Sequence, residues 1–129
     1  MPPRVVVVDD SFDMRLLLRV YLERRGLLVI GEAESLGHGS EVSSALRPDA
    51  IVADVHLADT NDLRKIVTEL RRAAPDARII ALSAAPPPAH ERQALSDAIG
   101  CDGYLDKGDG VGPLADQIAH LLEDPLATH

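Results

Sequence analysis

Three carboxylates stand at the ends of two apolar runs that lie far apart in the chain. Asp9 and Asp10 follow Val5-Val6-Val7-Val8, and Asp54 follows Ala50-Ile51-Val52-Ala53. A carboxylate is costly to hold beside an apolar interior, and three of them repel one another, so the pattern implies a cation or a reaction that offsets the repulsion. Ser83 and Lys107 each close a later strand-like run, at residues 78–82 and 103–106. An acidic cluster, a hydroxyl and an ammonium group are therefore expected at one edge of one sheet.

Carboxylates with water and a main-chain carbonyl make an oxygen-only site, which suits Mg²⁺ or Mn²⁺ better than zinc. A carboxylate next to such an ion can attack phosphorus, because the ion and a nearby lysine neutralise charge on the transferring phosphoryl oxygens. Asp54 is the better nucleophile, since it is the isolated acid on its strand, whereas Asp9 and Asp10 are adjacent and suited to sharing a metal. Ser83 could donate a hydrogen bond to a phosphoryl oxygen, and Lys107 could pair with the same group.

The elements that must position these groups alternate along the chain. Buried strands are expected at residues 4–9, 27–32, 50–54, 78–83 and 103–106, each an apolar run of the kind found in a parallel sheet covered on both faces. Helices are expected between and after them. The first spans residues 11–25, with Ser11 as N-cap, an inner face of Leu17, Leu18, Tyr21 and Leu22, and Gly26 as a stop. The second, at 36–46, is weakened by Gly37, Gly39 and several serines and is ended by Pro48. The third, at 63–74, is amphipathic, with Leu63, Ile66, Val67 and Leu70 facing inward and Pro75 closing it. Pro86-Pro87-Pro88 delays the fourth to 90–99, and a fifth covers 111–122. In such a doubly wound sheet, functional groups gather outside the carboxyl ends of the strands, where the residues named above fall.

Size and charge narrow the function further. A chain of 129 residues with 46% hydrophobic residues has room for one compact domain, expected over residues 1–124 with a tail at 125–129. The net charge of −8 argues against direct nucleic-acid binding. Cys101 is the single cysteine, so an intrachain disulfide and a cysteine-rich metal site are both excluded, and a reducing cytoplasm fits. No apolar stretch is long enough to serve as a signal or to span a bilayer. His38, His90, His120 and His129 lack metal-ligand spacing and read as surface residues, and Cys101 reads as a small buried one.

Taken in order, these residues resemble the receiver domain of two-component response regulators. The likeness runs through Val-Val-Val-Val-Asp9-Asp10-Ser11, Arg15 and Leu18, Arg47-Pro48-Asp49, Asp54-Val55-His56-Leu57, Ser83-Ala84, and Gly100-Cys101-Asp102-Gly103-Tyr104-Leu105-Asp106-Lys107. It implies a flavodoxin-like α/β fold, a doubly wound (βα)5 with a five-stranded parallel sheet in the order 2-1-3-4-5. It implies Asp54 as phosphoacceptor, and a Mg²⁺ held by Asp10 and Asp54 directly, by Asp9 through water, and by the main-chain carbonyl of His56. Ser83 and Tyr104 would form the coupled switch pair, with Lys107 as phosphate partner. The phosphoryl group would come from a sensor histidine kinase, a phosphotransfer protein or a small phosphodonor. The readout would be the face of the fourth helix, fifth strand and fifth helix, where a second copy of the chain could pair.

Departures from the family pattern are also legible. Ala58 stands where proline is common, Asp62 where glycine is common, and Gly108 where many receivers have a proline; the glycine is nearer to receivers that carry a LuxR-type helix-turn-helix output. A left-handed backbone at Asp62 is expected to preserve the loop. The three prolines at 86–88 stiffen a loop that normally moves on activation, and the His56 side chain would sit at the mouth of the site. Three other functions share parts of the pattern. A metal-dependent phosphatase with an aspartyl nucleophile would carry a second acid where His56 stands. A flavin carrier would need a phosphate loop where Asp9-Asp10 would repel the phosphate, and aromatic residues beyond the 2% present. A pseudo-receiver signalling without phosphate would not need the full set of acids, Ser83 and Lys107.

Overall fold

The computed structural model describes residues 1–123, so the tail expected at 125–129 lies outside the described residues. Five parallel strands, β1 (Arg4–Val8), β2 (Leu28–Ala33), β3 (Ala50–Asp54), β4 (Arg78–Ser83) and β5 (Gly103–Asp106), form one sheet in the order 2-1-3-4-5. The helices are α1 (Phe12–Glu23), α2 (Leu36–Leu46), α3 (Leu63–Ala73), α4 (Ala89–Ile99) and α5 (Val111–Glu123). This is the flavodoxin-like doubly wound arrangement, and β1 at the centre of the switch in strand order brings its end beside that of β3.

Strand alternation splits the core in two. Val5, Val7, Val52, Ile80 and Leu82 face α1 and α5, where they pack on Leu18, Leu22, Leu114 and Ile118. Val6, Val8, Ile51, Ala53 and Ile79 face the other way, against Leu36, Ile66, Val67 and Leu70. Helix α2, poor in helix formers, is held by closeness: a Cβ at Gly39 would lie 2.9 Å from a methyl of Val8, and one at Gly31 2.7 Å from a methyl of Val42. Two glycines therefore let the helix sit directly on β1 and β2. Helix α4 is the most thinly anchored, with Ser96 its one buried residue and Pro88 at its N-cap making no side-chain cap bond.

Several boundaries and one face differ from the sequence expectation. Strand β1 stops at Val8, although the Asp9 N–H still donates to the Ala33 carbonyl at 2.9 Å. Helix α1 starts one residue after its N-cap Ser11, which accepts from the Met14 N–H, and ends at Glu23. Leu17 does not face the core: it is 43% exposed, because the wheel is anchored by Leu18 and Leu22, each fully buried. Asp62 is not left-handed; its φ is −92° and it N-caps α3 by accepting the Lys65 N–H. A short 3-10 turn at Lys107–Asp109 follows β5, capped by the Asp106 side chain on the Gly108 N–H.

Candidate functional site

Asp9, Asp54 and Lys107 meet because they continue one parity of the sheet, that of Val7, Val52 and Leu105 on the side facing α1 and α5. Lys107 Nζ donates to Asp9 Oδ2 at 2.9 Å and to Asp54 Oδ2 at 3.1 Å, bridging the two strand ends. Asp10 completes the cluster, with carboxylate oxygens of all three acids within 4.8 Å of one another. Asp9 and Asp54 are almost fully buried, at 1% and 4% exposure, whereas Asp10 is exposed.

Backbone donors fix the two buried acids. The Ser11 N–H donates to Asp9 Oδ1 at 2.9 Å, and the His56 N–H to Asp54 Oδ1 at 3.2 Å. Arg15 donates to the Asp9 carbonyl at 2.6 Å and pairs with Glu32 at 3.3 Å, so it orients the turn between β1 and α1. Burial pushes the Asp9 carboxyl above its ordinary range and the neighbouring Asp54 charge adds to this, against the bonds from Ser11 and Lys107. Burial also opposes the Lys107 charge, but its bonds and attraction to Asp9 and Asp54 outweigh this and raise its pKa.

Three acids set against one ammonium group leave two negative charges over, which fits a hard divalent cation, and the donors available are all oxygens. The residues therefore suit Mg²⁺. Asp9, Asp10 and Asp54 are the side chains that could hold it, and the His56 main chain lies alongside, tied to Asp54 through its N–H.

The remaining candidates sit around this centre rather than in it. Ser83, 3% exposed, ends β4 on the opposite face of the sheet; its Oγ accepts the Ala85 N–H at 3.2 Å, and its own proton can still be donated. Tyr104 pairs in register with Ala81, so it and Ser83 share that face as diagonal neighbours. The half-buried Tyr104 lines a cavity of about 180 Å³ against Ala89, Arg92, Gln93 and Ser96 of α4. The side chain of His56 is exposed. Of the other histidines, His38 pairs with Glu34 at 2.8 Å, and Cys101 is buried against Ser96.

Sequence reasoning missed an exposed apolar stripe beside the site. Phe12, Leu16 and Val20, four residues apart on α1, are 66%, 48% and 37% exposed, and Leu17 flanks them. The signal was present as a three-leucine run, Leu16 to Leu18, which no single buried helix face could accommodate.

The parallel doubly wound sheet defines the flavodoxin-like class of α/β proteins, here with an acidic cluster and a lysine at the carboxyl edge of the sheet. Within that class the chain belongs to the response regulator receiver domain family, whose model matches residues 5–119. It is 33% identical over 84 residues to the chemotaxis protein CheY of Thermotoga maritima, covering 65% of this chain and 69% of that one. It is 30% identical over 119 residues to the response regulator GacA of Pseudomonas viridiflava, covering 89% of this chain but 53% of that protein. The chain thus spans about half the length of that regulator. Among solved structures it is similar to a LuxR-family two-component response regulator from Aurantimonas, with a TM-score of 0.80, 26% identity, and coverage of 95% of this chain and 86% of that one. Receiver domains are signalling domains that interact with histidine kinases or phosphotransfer proteins.

Proposed function

We propose that this receiver accepts a phosphoryl group on Asp54 with Mg²⁺ bound. The observation that carries the reading is the bridge from Lys107 to both Asp9 and Asp54 with a third carboxylate alongside. An Asp54 oxygen forms the new bond to phosphorus while phosphorus parts from the donor's imidazole nitrogen or acyl oxygen, and the electron pair of that bond leaves with the donor. When bound, Mg²⁺ would supply charge neutralisation for the phosphoryl oxygens; Asp9, Asp10, Asp54 and the carbonyl of His56 are the groups to hold it. Lys107, already against Asp54, would transfer its ion pair to the phosphoryl group, and Ser83 would donate its hydroxyl proton.

The new charge would then be read by the structure. A Ser83 drawn toward the phosphoryl oxygen vacates space on the face it shares with Tyr104, whose ring borders the cavity under α4. Helix α4, with its single buried residue, is the α-helix with the fewest buried residues to resist that shift. The α4-β5-α5 face is thus the proposed output and the surface where two copies would pair. The donor is a sensor histidine kinase or phosphotransfer protein in the cytoplasm, and the Phe12-Leu16-Val20 stripe, which begins at the site's rim, is the surface for it. An acidic domain of this kind does not itself bind nucleic acid.

Intact mass after incubation with Mg²⁺ and acetyl phosphate tests the reading. The expected result is one added phosphoryl group in the wild type, absent from Asp54→Asn and from a metal-chelated sample. No addition from acetyl phosphate or from any histidine kinase, in a folded protein that binds Mg²⁺, would replace it with a pseudo-receiver.

A further inference from the structure

Asp59 lies in the β3–α3 connection, five residues beyond the acceptor, and its carboxylate leaves that loop to meet another element. Its Oδ1 accepts the Leu36 N–H at 2.8 Å and its Oδ2 the Gly37 N–H at 3.0 Å, the first two residues of α2. Ser35 takes the next N–H, that of His38, at 3.1 Å, and the Ala58 N–H donates to the Glu34 carbonyl at 3.3 Å. The start of α2 and the tip of the acceptor loop are therefore stitched together from both sides. Three residues before Asp59 is His56, whose N–H donates to Asp54 Oδ1, and between them Leu57 is anchored in the core, its N–H turned onto the Thr60 carbonyl.

Beyond His56, the other bonds of the loop run within it or to α3, apart from the longer one from Ala58 to Glu34, so Asp59 is the side chain that ties it to α2. Ala58 lacks the fixed φ a proline would give. Helix α2 makes a firm post for the tether despite its weak sequence, because Gly39 seats it directly on Val8, the residue before Asp9. Slight burial raises the Asp59 pKa, but the Leu36 and Gly37 N–H groups outweigh this and hold it below the usual carboxylate range, so the tether is charged at neutral pH.

We propose that Asp59 is a positioning residue for the cation: by clamping the acceptor loop to the start of α2, it holds the His56 carbonyl and the Asp54 carboxylate in the arrangement that binds Mg²⁺. The inference rests on the receiver reading above. It follows by linkage that Mg²⁺ tightens the clamp as the clamp tightens Mg²⁺.

The test is Mg²⁺ binding by calorimetry, with no phosphodonor, on the full chain as wild type, Asp59→Asn, Asp59→Ala and Asp62→Ala. Asp59→Ala is expected to weaken Mg²⁺ binding about threefold to fivefold, the equivalent of one lost capping interaction. Asp59→Asn, which keeps the volume and one acceptor, should fall between it and the wild type. Asp62→Ala removes the cap of α3 in the same loop and should lower the melting temperature without changing Mg²⁺ affinity. Hydrogen exchange supplies a readout separate from affinity: Mg²⁺ should slow exchange of the Leu36 and Gly37 amides in the wild type and not in Asp59→Ala. Unchanged Mg²⁺ affinity in both Asp59 variants, with only the melting temperature lowered, would reduce Asp59 to a helix cap and overturn the inference while leaving the receiver reading intact. Absence of Mg²⁺ binding by the wild type would overturn both.

Discussion

The two edges of the sheet treat their acids differently. At the amino edge, Asp49 accepts the Arg4 N–H at 2.8 Å, and Asp102 accepts the Ile79 N–H at 2.8 Å and the Arg71 guanidinium at 3.1 Å. Each of these carboxylates finds donors that secure a strand entry. At the carboxyl edge, Asp9, Asp10 and Asp54 share Lys107 as the ammonium group that touches two of them, and two of the three are buried. The acids of the amino edge are each matched by donors that tie down a strand, whereas the three acids of the carboxyl edge have a single ammonium group among them and negative charge left over. That excess is what the proposed binding of a cation, and then of a phosphoryl group, rests on.

The contrast breaks hardest if the excess charge is removed. Asp9→Asn is expected to cut phosphoryl uptake from acetyl phosphate by at least about 100-fold, the usual scale for losing a group that acts on the transition state. The same change should stabilise the metal-free protein by roughly 1 kcal/mol, since a buried charge is lost and a neighbour's repulsion with it. Wild type should in turn gain melting temperature with millimolar Mg²⁺, and Asp9→Asn should gain far less. Thermal melts with and without the ion check both signs, and equal Mg²⁺ shifts in the two proteins would erase the distinction between the edges.

The amino edge should show the reverse. Asp102→Ala leaves the buried Ile79 N–H without its side-chain acceptor and Arg71 without its carboxylate, at a cost of about 1–3 kcal/mol. Urea unfolding would measure this, and phosphoryl uptake under folding conditions should stay within twofold of wild type. A smaller effect is expected on the flank of the site. Leu16→Glu places a charge in the exposed α1 stripe and should slow transfer from a histidine-phosphorylated protein about tenfold, or 1.4 kcal/mol, while leaving uptake from acetyl phosphate unchanged. Equal slowing from both donors would move the stripe from partner docking to fold maintenance.

Much of this was legible before any coordinates. Four-residue apolar runs ending in Asp9 and Asp54 announce buried strands whose ends carry carboxylates, and the strong alternation of α3 places Ile66, Val67 and Leu70 inward without ambiguity. The inner face of α1 was read too widely because Leu16, Leu17 and Leu18 sweep about 200° of helix, and periodicity alone does not say which of them the sheet covers. At Asp62 the glycine common at that place suggested a left-handed turn, and the N-cap role that an aspartate directly before Leu63 can fill went unread. The Asp59 contact left no trace in the pattern, since a side chain bonding to backbone 22 residues away has neither period nor spacing to betray it.

Helix α2 supplies the finest comparison, because it carries a polar group with no donor or acceptor to meet it. Ser43 is fully buried, and its hydroxyl lacks a hydrogen-bond partner among the described residues, unlike Asp9 and Asp54, whose oxygens are each met by backbone or Lys107 donors. An unpartnered buried hydroxyl costs more than the alanine that would replace it, and alanine also has the higher helix propensity. Ser43→Ala should therefore raise stability by about 1 kcal/mol. Neither Mg²⁺ affinity nor phosphoryl uptake should change, since Ser43 lies more than one helical turn beyond the residues that Asp59 holds. A stabilised protein with weakened Mg²⁺ binding would mean instead that the packing of α2 around Ser43 is coupled to the site, through the helix that Asp59 ties to the acceptor loop.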